Sequence, residues 1–275
     1  MKTKHISLVI YIASLSLQHV TAALLFQEGF NYPSGALSGN GAWIGGASGL
    51  TVGNVNLTYP GLSDVAIPGN DLVDTSGGTA GSMTVPFAST PVTSGSVYYS
   101  FLAEATTLPT ANNYLTAILT NGAAGPNGSS DPLAVYVGQQ TAGSTFKIGV
   151  RHFGVGSGAT YASTSALTLN TVNFFVVKYT FGSGGAVSLY INPTPGGSEP
   201  TPDVALAAGG NEAPNLDLIG FKAQSASTAG VWLFDTLRVG DTWADVTPLA
   251  VPEPAACTLV ALAVAGLCLS RIARR

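Results

Sequence analysis

Val172-Asn173-Phe174-Phe175-Val176-Val177-Lys178-Tyr179-Thr180-Phe181, then Gly182-Ser183-Gly184-Gly185, then Val187-Ser188-Leu189-Tyr190-Ile191-Asn192-Pro193, is the passage from which the fold of this chain is read. Side chains alternate across a strand, so Phe175, Val177, Tyr179 and Phe181 share one face and Phe174, Val176, Lys178 and Thr180 the other. The Gly/Ser run between the two apolar runs is a turn former, and the whole predicts an antiparallel hairpin.

Outward from the hairpin the same signal recurs in short pieces. Alternating or β-branched runs bounded by Gly and Pro predict strands at 24–30, 82–87, 97–105, 114–119, 133–138, 146–153, 217–222 and 231–239. No apolar period of 3.6 residues runs for any useful length between residues 24 and 249. One open sheet of so many strands would leave an apolar face in water, so the expectation is an all-β, two-sheet antiparallel sandwich of the jelly-roll kind over residues 24–249. Both cysteines, Cys257 and Cys268, lie beyond it. In a helix their Cα atoms would stand roughly 16 Å apart, too far for a disulfide, so the sandwich must be stable by burial alone.

Charge is sparse, at 9% of residues. Between the two ends the cations are Lys147, Arg151, Lys178, Lys222 and Arg238, whereas all fourteen acidic residues except Glu253 fall there. An acidic domain of this kind is not expected to bind nucleic acid.

The ends carry an address. Lys2 and Lys4, the apolar run 6–17 and the small-residue pattern Val20-Thr21-Ala22 predict a secretory signal peptide over residues 1–23, cut after Ala22 or Ala23, and export through the Sec route. Residues 250–275 have three parts. Pro252 and Pro254 hold a short extended segment that displays Glu253. The uncharged run 255–269 follows, spanning roughly 22 to 26 Å as a helix, a little short of a ~30 Å hydrocarbon core. Arg271, Arg274 and Arg275 close it, and basic residues just past a span stay on the cytoplasmic side, so the sandwich faces out.

This Pro-Glu-Pro, short span and Arg-rich end resembles the PEP-CTERM sorting signal of Gram-negative bacteria. The resemblance implies an exosortase-type sorting enzyme as partner, cleavage near the motif, and transfer to the cell envelope or to extracellular polysaccharide. An ordinary C-terminal membrane anchor is the alternative, and it too places the sandwich outside. Glu28-Gly29-Phe30 with Tyr32-Pro33, the hairpin, Glu199-Pro200, and Phe234-Asp235-Thr236-Leu237-Arg238-Val239-Gly240 before Thr242-Trp243-Ala244-Asp245-Val246 resemble the LamG-like, concanavalin A-type jelly rolls of such proteins. That resemblance implies a structural, adhesive or carbohydrate-binding module.

Catalysis finds little support. The single histidine of the sandwich, His152, reads as a surface or edge residue, and no Gly-x-Ser-x-Gly elbow or zinc motif accompanies it. Glycan hydrolysis on such a fold, the competing function, needs two carboxylates about 5 Å apart on one strand. Glu104 instead stands alone on its strand, with Glu28, Glu199 and Glu212 scattered. Asp64, Asp71 and Asp74, in a loop rich in Gly, Pro and Ser, are the candidate Ca²⁺ ligands, although their spacing is not that of an EF-hand loop. Trp43, Tyr161 and Trp232 are the aromatics on which a sugar ring would stack if exposed, with Trp232 and Trp243 better suited to a core or corner.

Overall fold

The computed structural model describes residues 24–250 except 65–69, 75–80, 109–112, 120–131, 143–144, 153–159, 162–165, 183, 208–211 and 224–229. The expected signal peptide and the tail, with Pro252, Glu253, Pro254, Arg271, Arg274 and Arg275, lie outside the described residues. Among those described, no helix is long and apolar enough to cross a membrane.

In chain order the strands are β1 (Leu24–Glu28), β2 (Gly35–Ala36), β3 (Ile44–Gly45), β4 (Leu50–Val52), β5 (Leu72–Asp74), β6 (Gly81–Pro86), β7 (Ser96–Thr107), β8 (Asn113–Leu119) and β9 (Leu133–Ala142). They continue with β10 (Thr145–His152), β11 (Thr160–Tyr161), β12 (Leu167–Thr168), β13 (Val172–Thr180), β14 (Ala186–Ile191), β15 (Val204–Leu206), β16 (Leu218–Ala223) and β17 (Val231–Gly240). A single turn of helix, α1 (Trp243–Val246), follows. Sheet A runs β15-β14-β13-β7-β17-β5-β4-β2, with β1 also on β17, and sheet B runs β11-β10-β9-β8-β16-β6-β3, with β12 on β10. All pairings are antiparallel, so the architecture is the expected two-sheet sandwich. A bulge in β17 around Asp235 and Thr236 falls where its outer neighbour changes from β5 to β1.

The predicted hairpin is β13–β14, in register from Phe175–Ile191 to Thr180–Ala186. Gly185 closes it at φ +70°, where a Cβ would come within 2.9 Å of His152 Nε2 and also strike the Tyr179 hydroxyl. Phe175, Val177 and Tyr179 face sheet B in the main core, as alternation requires. Phe234 joins the layers there, with ring centroids 6.1 Å from Phe101 on β7 and 5.0 Å from Phe221 on β16. Phe30, Trp43 and Phe221 form a second aromatic group near the β3 edge.

The outer face of sheet A is apolar as well, and the chain covers it with its own segments. Leu57, Tyr59 and Leu62 from one segment, and Trp243 and Val246 from α1, pack on Tyr98, Leu102, Phe174, Val176 and Tyr190. Backbone bonds tie the two covering segments together, from Ser63 N to Pro248 O (2.9 Å) and from Ala250 N to Gly61 O (2.9 Å). Trp243 Nε1 donates to Gly197 O at 2.9 Å. Glu199 is bound by Tyr98, Lys178 and Tyr190, and this carboxylate latches the segment after β14 onto the sheet. Both the first described residue, Leu24 in β1, and the last, Ala250, are therefore held on the sheet A side.

Candidate functional site

Sheet B is the layer whose outer face carries residues of another kind. On β10, Phe146, Ile148 and Val150 enter the core. Alternation then turns Lys147, Gly149 and Arg151 outward. Core positions on β16 (Ile219, Phe221, Ala223) likewise turn Leu218, Gly220 and Lys222 outward. Ala117, Leu119 and Ala134, with Leu218, form a small separate cluster on this face, the first three at most 1% exposed, so the face is covered there. No Asp or Glu occurs in any of the eight strands of sheet B. The neighbouring Asp217, just before β16, is buried, and burial raises its pKa.

Register supplies the second feature. Tyr114 pairs with Tyr136, Tyr136 with Gly149, and Gly149 with Tyr161. Antiparallel partners share a face, so three tyrosine positions stand in one row across β8, β9, β10 and β11, about 14 Å from end to end at the usual strand spacing. Lys147 and Arg151 flank that row on β10, each two residues from Gly149 and so about 7 Å along the strand. Lys222 follows the Phe221–Thr116 pair, toward the Tyr114 end of β8. Of the sugar-stacking candidates, Tyr161 stands in this row. Trp43 and Trp232 do not, being core residues at 5% and 1% exposure. Tyr114 and Tyr136 were not recognisable as partners from sequence, because the row exists only once four strands are in register.

The candidate Ca²⁺ ligands do not come together. Asp71 and Asp74 are three apart at and within β5, and an odd spacing sends strand residues to opposite faces. Asp74 faces inward between the core residues Leu50 and Trp232. Asp71 turns outward and accepts from Val55 N at 2.9 Å. Asp64 serves through its carbonyl, which accepts from Arg238 Nη2 at 2.8 Å. Among the described residues, no group of three His, Cys, Asp or Glu side chains is placed to hold a metal ion. Burial, with no hydrogen bond to its buried Oδ1, pushes the Asp74 carboxyl up to about 8. Burial likewise lifts Asp235 to about 7, against the backbone donors of Thr236 and Leu57 and with Asp64 and Asp71 adding to the rise.

His152 corrects another expectation. It is a core residue, not a surface one, at 1% exposure, stacked on Tyr179 with centroids 5.9 Å apart. Neither ring nitrogen has a hydrogen-bond partner, and burial lowers its pKa. The inward-facing parity of β10 puts it there. Among the carboxylates considered for hydrolysis, Glu104 lies on the outer face of sheet A, opposite Val172 and Leu233. Glu28 is taken up by Tyr32, Trp43 and the Phe30 amide, and Glu212 by the Gly182 amide. None of these belongs to the tyrosine row.

No family model and no curated protein matches the chain. Solved structures do. The globular domain of T. cruzi calreticulin superposes with a TM-score of 0.51 at 12% identity, over 82% of this chain and 90% of that one. Alginate lyase Aly36B gives 0.49 at 14% identity, over 78% and 95%. The VIP36 exoplasmic/lumenal domain, in a form bound to Ca²⁺ and Man2, gives 0.45 at 9%, over 84% and 90%. At these identities the likeness establishes a concanavalin A-like jelly roll and nothing finer.

Proposed function

We propose that this chain is an exported, non-catalytic carbohydrate-binding module of LamG-like type, held at the cell envelope, whose ligand lies along the outer face of sheet B. The observation that carries this reading is the two-sheet antiparallel jelly roll, in which register aligns Tyr114, Tyr136, Gly149 and Tyr161 across four strands of sheet B, tyrosine being a residue type on which sugar rings stack. The covering of sheet A supports it. Leu57, Leu62, Trp243 and Val246 occupy that outer face, and Ala250, where the tail begins, leaves from the same side. Attachment through residues 250–275 would then direct sheet B away from the anchor. In this reading residues 1–23 direct export through the Sec route, the span after Pro252-Glu253-Pro254 anchors the chain, and an exosortase-type enzyme moves it to the envelope or to extracellular polysaccharide.

The competing reading is a glycan hydrolase on the same fold. It is disfavoured because paired carboxylates would have to reach a sheet whose strands contain none.

One experiment in cells addresses export, sorting and binding together. The wild-type chain is expected in the surface polysaccharide fraction, shortened at its C-terminus and released when that polysaccharide is digested. The variant with alanine at 252, 253 and 254 is expected full-length in the membrane. Equal processing of both would contradict the sorting role, and a surface form unaffected by digestion would contradict the binding role.

A further inference from the structure

The sandwich grips the root of its own tail, and the grip bears on the sorting step, an inference that rests on the sorting role just proposed. Thr247 is fully buried. Its N–H and its Oγ1 both donate to Trp243 O, at 3.1 and 2.9 Å, and its carbonyl accepts from Gly196 N at 2.7 Å. Beyond Thr247 the chain lies as a short antiparallel clip against the segment that covers sheet A. Ser63 N donates to Pro248 O and Ala250 N to Gly61 O, both at 2.9 Å, so Leu62 and Leu249 face one another as a non-hydrogen-bonded pair. Leu249 also closes over Gly196, which sits at φ +71° and where an added Cβ would come within 2.8 Å of the Leu249 Cβ.

Backbone bonding thus continues to Ala250, and the Pro-Glu-Pro begins at Pro252. Val251 alone separates them. From Ala250 to Ala255, where the uncharged run starts, is at most about 18 Å of fully extended chain. A peptidase takes its substrate as an extended strand, pairing with backbone N–H and C=O groups on either side of the bond it cuts. Here the carbonyl of Pro248 and the amide of Ala250 are already paired within the protein, so one residue lies free on the domain side of the motif. Peeling Pro248–Ala250 from residues 61–63 raises that number to four. Burial and three bonds stop the peeling at Thr247, whereas the clip itself holds by the two bonds to Ser63 and Gly61 and carries a side chain, Leu249, that is 56% exposed.

We propose that the Pro248–Ala250 clip is an autoinhibitory contact: the folded domain shields its own sorting motif, and the sorting enzyme acts on the form in which the clip has parted from residues 61–63.

The test is pulse–chase of the full chain in the producing cells, with loss of the C-terminal piece followed by mass. Leu62→Cys with Leu249→Cys, in a chain whose Cys257 and Cys268 are changed to Ser, closes the clip covalently. Non-hydrogen-bonded antiparallel partners stand about 4.5 Å apart at Cα, within disulfide reach. Cutting at least about tenfold slower than in the wild type, restored by reductant, is the expected result, because cleavage through an opened form follows the population of that form. Gly-Ser-Gly-Ser inserted between Ala250 and Val251 of the locked chain is expected to restore cutting with the clip still closed. A locked chain cut as fast as the wild type would overturn the clip and leave the sorting role standing, and so would a locked chain that the insertion does not rescue. Slow cutting that persists in reductant would trace to lost packing at position 62 and overturn it as well. No cutting of the wild type, the reduced pair or the inserted chain would overturn both this inference and the sorting role.

Discussion

Phe234→Ala is expected to lower the melting temperature by roughly 10 °C or more. The ring is 1% exposed, sits within 5.0 Å of Phe221 across the sandwich and within 6.1 Å of Phe101 beside it, and stacks on Trp232 at 6.2 Å. Truncating a buried Phe costs about 3–5 kcal/mol, because the transfer energy is lost and the cavity only partly collapses. A domain of this size loses about 2–4 °C per kcal/mol. Without disulfides there is no covalent constraint to soften that loss. Thermal unfolding followed by circular dichroism measures it, and a shift below about 3 °C would mean that the two layers do not depend on this contact.

Asp74→Asn is expected to stabilise the protein, and only at high pH. Burial raises the Asp74 pKa from 3.8 to about 8, so the folded state favours the protonated form. The stability that belongs to that form is whole below about pH 4 and is lost as pH rises through about 8. At about 1.4 kcal/mol per pKa unit, the loss is of the order of several kcal/mol. Asparagine has the same shape and never ionises. Its melting temperature should match the wild type within about 2 °C at pH 4 and exceed it by roughly 10 °C or more at pH 9. Parallel profiles would show that the carboxylate has a partner that compensates its charge, a bound cation being the first to look for.

Much of the sandwich could be read from residue pattern, and the reasons are specific. β13 and β14 have six or more alternating residues and a glycine turn between them, and the long runs of β7, β10 and β17 show the same period. β2, β3, β11 and β12 have two residues each and β4, β5 and β15 have three, too few for any period to appear. β5 caused the misplaced metal site, since its acids looked like loop residues until pairing with β4 and β17 made them strand residues with opposite facing. The strand running into His152 was seen, but an inward facing at its end was not, and that facing makes the residue a core histidine. Arg151 and Lys147 could have been found by parity alone, because Phe146, Ile148 and Val150 fix the opposite face. The tyrosine row could not. Its members lie on three separate strands, and only hydrogen-bond register aligns them.

Carbohydrate binding along sheet B is the core of the functional account, and hydrogen–deuterium exchange in the presence of saturating surface polysaccharide isolated from the producing cells tests it most directly. The account predicts slowed exchange confined to β8, β9, β10 and β11, with β13, β14 and α1 unchanged. Protection that appears instead on the segments covering sheet A, with β8 to β11 exchanging as in the free protein, would contradict it.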